Sequence, residues 1–87
     1  MRGIEIAIKE YFKMSPRAKR LVWDALMLHT QEWMDEMNSA LHRDEADYEF
    51  DEVFNLFYLG YKERECYEMV QALVDAAQFY EIELEQD

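Results

Sequence analysis

Proline occurs once in this chain, at Pro16, and glycine twice, at Gly3 and Gly60. A strand-and-turn fold needs such punctuation at nearly every corner, so its scarcity argues against all-β architectures. Apolar residues recurring at threes and fours predict helices instead. Cysteine also occurs once. Cys66 has no internal disulfide partner, and Glu5 and Lys9 interrupt the start MRGIEIAIKEYF before a signal-peptide apolar run builds up, so a reducing, cytoplasmic setting is expected. Uninterrupted apolar stretches such as ALML and LFYL are far shorter than the ~20 residues a bilayer span requires, and no membrane partner is expected.

A complete motif for chemistry is missing as well. DYEFDE, from Asp47, begins like a calcium loop, but its sixth position is Glu52 where glycine is needed and its twelfth is Tyr58 where glutamate is needed. His29 with Glu32, and His42 with Glu45, are H-x-x-E pairs, whereas di-metal bundles use Glu-x-x-His, which this chain lacks. Cys66 has no base at a helpful spacing, and a small bundle has little room for the concave pocket that an acid-base carboxylate pair needs. No catalytic, cofactor or metal residues are assigned, and the expected function is not enzymatic.

Positive charge is scarce: nine Lys and Arg stand against 20 Asp and Glu, for a net charge of -11. The distribution is uneven, with net +3 from Met1 to Gln31 and net -14 from Glu32 to Asp87. Such a field repels nucleic acid and anionic lipid and steers toward cationic surfaces, so the expected partner is a basic protein surface and not nucleic acid itself.

What the chain does have is apolar material, 51% hydrophobic and 15% aromatic, enough for a core in one domain spanning 1–87. The periodicity predicts an all-α fold, a small compact antiparallel bundle of about four helices. A first element covers residues 4–14, with Ile4, Ala7, Ile8, Tyr11 and Phe12 on one side. Ser15-Pro16 then opens a long helix reaching about His42, on which Val22, Leu26, Trp33, Met37 and Ala40 form one buried line. Burial of Trp33 would make Trp33→Ala cost about 3–5 kcal/mol. Leu21 and Leu28 fall on the opposite, polar face. Asp44 or Asp47 caps a third helix to Tyr61, with Phe50, Val53, Phe54, Phe57 and Tyr61 inward, and Gly60 loosens the chain after it. A fourth helix, about Lys62 to Leu84, carries the seam Cys66, Val70, Leu73, Ala77, Tyr80 and Leu84, with Ala72, Phe79 and Ile82 outward. The alternations GIEIAI and EIELEQD leave residues 4–8 and 81–85 open to a short terminal strand pair.

The candidate site is acidic. DEADYEFDE, residues 44–52, holds six carboxylates in nine positions around Tyr48 and Phe50. Capping a helix start accounts for Asp44, Asp47 and Glu49. Asp51 and Glu52 lie deeper, while Glu32, Asp35 and Glu36 occupy the C-terminal half of the long helix, where negative charge opposes the dipole. The expected partner-binding set is therefore Glu32, Asp35, Glu36, Asp44, Glu45, Asp47, Tyr48, Glu49, Asp51 and Glu52. Rows of carboxylates ~5–6 Å apart on helices approach the charge density of a duplex strand, which carries one phosphate per ~3.4 Å. The chain is similar in size and charge to the small acidic helical proteins with which phages block restriction or CRISPR effectors, though no residue motif carries that similarity and no family is assigned. An inhibitor seated on the basic surface of a nucleic-acid-binding enzyme or effector complex is the first expectation. The alternative is an oligomerising structural or assembly module, a homodimer for instance, acting through Leu21, Leu28, Phe79 or Ile82, and a metal-dependent enzyme using His29, Glu32, His42 and Glu45 stands third.

Overall fold

The computed structural model describes residues 8–41 and 48–85. A 3-10 turn, Tyr11–Lys13, precedes three α-helices: α1 (Pro16–Leu41), α2 (Phe50–Glu63) and α3 (Tyr67–Tyr80). The all-α class stands, with three helices among the described residues in place of about four. No strand occurs among them, and residues 82–85 form a tail outside any helix. Residues 4–7, on which one half of the expected strand pair falls, lie outside the described residues.

Ser15 opens α1 as expected: its Oγ accepts from Ala18 N–H at 3.2 Å and its carbonyl from Lys19 N–H at 2.9 Å. The turn before it sorts side chains differently from an α-helix. Spacing near three per turn places Ile8, Tyr11 and Met14 against the core, and Phe12, expected inward, is 56% exposed.

Gly60 does not interrupt α2, which runs on to Glu63. The break comes at Glu65, in the left-handed conformation at φ 58°. Cys66 N–H reaches Tyr61 C=O at 3.1 Å and Glu65 N–H reaches Lys62 C=O at 3.1 Å, a Schellman closure that ends α2 and puts Cys66 at the N-cap of α3 instead of inside a helix. A Cβ at Gly60 would meet nothing within 4 Å. Gly60→Ala should therefore raise stability by about 0.5–1 kcal/mol in a urea titration, through lower backbone entropy in the unfolded chain.

Helix α3 lies against both α1 and α2, and the 3-10 turn sits on it. Its buried face is Met69, Ala72, Leu73, Ala76 and Ala77. The expected seam shares Leu73 and Ala77 with this face but is rotated from it, and Ala72, expected outward, is fully buried. Three alanines carry little hydropathy yet let neighbouring helices approach closely, and that closeness sets the rotation. Ile82 packs against the core while Phe79 remains 47% exposed. Phe54 and Val53 are buried on α2, but Phe50 is only partly buried and stacks on Phe54 with ring centroids 6.4 Å apart.

Trp33 departs furthest from expectation, at 43% exposed. Helix α1 has 26 residues, and its partners have 14 each. At ~1.5 Å per residue the long helix extends past them, so Trp33 keeps the buried phase but is covered only in part, by Phe57 of α2. Ala40 is exposed for the same reason.

An acid-rimmed groove as the candidate functional site

Asn55 sits inside the apolar run VFNLFYL on α2 and is nearly fully buried. A buried amide must find partners, and this one uses both faces. Its Nδ2 donates to Asp51 C=O at 2.9 Å and to Glu83 C=O at 3.0 Å, while its Oδ1 accepts from Glu85 N–H at 2.7 Å. Bonds to residues two apart hold the tail along α2 much as a neighbouring strand would. Ile82 and Leu84 then pack against the core, and Glu83 and Glu85 stay exposed. The alternation in EIELE is thus realised without a strand partner among the described residues. Ahead of the tail, Glu81 adopts φ 58° and Ile82 N–H bonds Ala77 C=O at 2.8 Å, turning the chain out of α3 and toward α2.

Between the start of α2, the end of α3 and this tail lies a groove of about 710 Å³. Asp51, Glu52, Glu83 and Glu85 line it with carboxylates, and Val74, Ala77, Ile82 and Leu84 give it apolar surface; no Lys or Arg lines it. A smaller depression of about 130 Å³ adjoins it across Glu52, Asn55 and Glu85, and brings in Tyr48, Leu56 and Leu59. Among the described residues the salt bridges are Lys13–Glu10 at 4.0 Å and Arg20–Asp24 at 3.6 Å, and neither involves a groove carboxylate.

The expected site residues divide. Asp51 and Glu52 meet in the groove, and Tyr48 borders the depression beside it. Asn38 clamps the Tyr48 backbone, its Nδ2 donating to Tyr48 C=O at 3.1 Å and its Oδ1 accepting from Tyr48 N–H at 2.8 Å. Glu49, and neither Asp44 nor Asp47, is the N-cap of α2, and Glu52 Oε1 accepts from Glu49 N–H at 3.4 Å to close a capping box. Asp51 and Glu52 therefore lie in the first turn, where the dipole favours them; they are not too deep for capping to explain. Glu32, Asp35 and Glu36 are exposed on α1 and do not line the groove, with Asp35 Oδ1 accepting from Gln31 Nε2 at 3.0 Å. Asp44, Glu45 and Asp47 lie outside the described residues. Sequence reasoning missed Glu83, Glu85 and Asn55. The available signal was a polar residue inside an apolar helical run together with an alternating tail that could dock on it.

Two other polar clusters belong to the core. Tyr11 is fully buried; its hydroxyl donates to Asp75 Oδ2 at 2.5 Å and accepts from Trp23 Nε1–H at 2.8 Å, and Gln71 Nε2 donates to the other Asp75 oxygen at 2.8 Å. Burial, and then the bond to Asp75, push the Tyr11 phenol above its ordinary range, so it stays protonated and ties the turn to α1 and α3. His29 lies beside Phe57 and Trp33 at centroid distances of 5.2 and 6.2 Å, and its buried Nε2 has no hydrogen-bond partner. Burial lowers its pKa below the ordinary 6.5, with Glu32 partly offsetting the shift. The unfolded chain then binds the proton more readily than the native one. The proton-linked cost is absent above 6.5, and stability is lost as pH falls from there through the lower native value. Thermal melts between neutral and mildly acidic pH should show this loss in the wild type and a smaller one in His29→Phe; equal slopes would remove His29 as the cause.

The described residues contain no group of three or more His, Cys, Asp and Glu placed to hold a metal ion, and no helix long and apolar enough to cross a membrane. No family model, curated protein or solved structure matches the chain.

Proposed function

We propose that this chain is a small acidic binding protein that seats on a cationic surface of a partner protein and keeps nucleic acid off that surface. The observation that carries this reading is the groove, where Asp51, Glu52, Glu83 and Glu85 surround apolar residues and no Lys or Arg is present. A Lys- or Arg-bearing segment with an apolar side chain satisfies both parts of such a site at once, whereas a nucleic acid would meet only repulsion. Glu83 and Glu85 extend the acidic rim beyond the first-turn acids of α2, and no Lys or Arg lines the groove to offset them.

The test uses a labelled amphipathic peptide of leucine and lysine as the probe, followed by the partner recovered from the native host. Asp51, Glu83 and Glu85 are changed to Lys, and Glu52 to Gln so that the capping box survives. Melting should fall only modestly, because the altered groups are exposed and the dipole contribution given up at Asp51 is about 0.3–1 kcal/mol. Affinity for the peptide should fall about a hundredfold, and wild-type binding should weaken steeply with salt as the screening length drops below ~10 Å. The recovered partner should bind DNA or RNA in competition with the wild-type chain. Equal peptide affinity of variant and wild type at low salt would end the groove reading, and a partner that binds the chain and nucleic acid together would end the inhibitory one.

A further inference from the structure

We infer that the solvent face of α1 is a self-association surface, on which a second copy of this chain packs antiparallel across Asp24 and Ala25. Leu21 and Leu28 are 68% and 62% exposed, on a face that α3 reaches only at its edge, through the Tyr80 hydroxyl on Asp24. With Asp24 and Ala25 they form the i, i+3, i+4, i+7 patch that a crossing helix occupies. Ala25 is small enough for close approach. Asp24 does not bring an unpaired anion to the centre, since it is bonded by the Tyr80 hydroxyl and lies 3.6 Å from Arg20 Nε.

Charge decides both the occupant and its direction. Arg17 and Arg20 flank the leucines on the N-terminal side, and Glu32, Asp35 and Glu36 on the C-terminal side, all exposed. A parallel copy would set like charges together. An antiparallel copy with Leu21 over the other chain's Leu28 sets Arg17 of each against Glu32 of the other. Those residues lie ~11 Å from the crossing point at ~1.5 Å per residue, and at a shallow crossing near 20° the axes separate by only ~4 Å over that length. Arg and Glu side chains span the gap. The pairing gives Glu32, which lies away from the groove, a cation of the second copy to answer. The face is separate from the groove, so either can fail while the other stands.

Sedimentation equilibrium of the full chain should show a reversible dimer. Leu28→Asp should raise the dissociation constant about a hundredfold or more, with an unchanged helical spectrum, because Leu28 is largely exposed and takes no part in the core cluster. Arg17→Glu and Glu32→Arg should each raise it about tenfold. Mixed in equal amounts, those two variants should recover wild-type affinity as a heterodimer, because both cross-pairs again join opposite charges. A wild-type chain that stays monomeric at about 1 mM, a Leu28→Asp chain that still dimerises normally, or a charge-swapped mixture no tighter than its components would each overturn the inference.

Discussion

Phe54→Ala is expected to lower stability by about 3–5 kcal/mol, since the ring is fully buried and its removal leaves a cavity in the core cluster. A domain of this size holds on the order of 5–10 kcal/mol in total. The variant should melt roughly 15–30 °C below wild type, close to unfolded under ordinary conditions. Trp33→Ala provides the contrast. Trp33 keeps edge contacts with Phe57 and His29 at centroid distances of 6.0 and 6.2 Å but is 43% exposed, and its loss should cost about 1–2 kcal/mol. Urea titration of both variants checks the order. If Trp33→Ala proved as damaging as Phe54→Ala, the account of α1 outrunning its partners would be wrong.

That contrast marks what was legible before any coordinates. Ser15-Pro16 announces the start of α1, and the apolar spacing on α2 correctly sends Phe54 and Tyr61 inward, because caps and phase are local properties of the chain. Cover is not local. The phase that buries Leu26 also points Trp33 inward, and phase alone does not reveal that Phe57 of α2 covers it only in part. Helix ends were misread for a related reason. Gly60 is the residue that sequence reasoning breaks on, yet the left-handed positions belong to Glu65 and Glu81, where backbone closure onto Tyr61, Lys62 and Ala77 holds a conformation glutamate seldom takes. In the candidate site, Asp51 and Glu52 were visible as charge, whereas Glu83 and Glu85 join them only through Asn55, a contact spanning about thirty residues that no periodicity encodes.

Asn55→Leu should therefore separate the tail from the bundle without unfolding it. Leucine keeps the bulk on α2 but removes the donor to Glu83 C=O and the acceptor for Glu85 N–H, and each lost bond is worth about 0.5–1.5 kcal/mol net. The released backbone groups lie in an exposed segment and can turn to water, so the chain escapes the larger cost of a buried unpaired amide. Stability should fall by about 2–3 kcal/mol, with the helical spectrum kept. Hydrogen exchange gives the sharper readout. Glu85 N–H is held by Asn55 Oδ1 at 2.7 Å, and its protection should vanish in the variant while the amides of α3 around Leu73 keep theirs. Affinity for the leucine-lysine peptide should drop about tenfold, because Asp51 and Glu52 remain fixed on α2 while Glu83 and Glu85 no longer converge on the groove. Asn55→Asp discriminates further: it retains an acceptor for Glu85 N–H, loses the donor to Glu83, and introduces a buried negative charge beside four carboxylates, so it should destabilise more than leucine does. Persistent protection of Glu85 in Asn55→Leu would show that the packing of Ile82 and Leu84 alone holds the tail, and the asparagine would lose its place as the residue that assembles the rim.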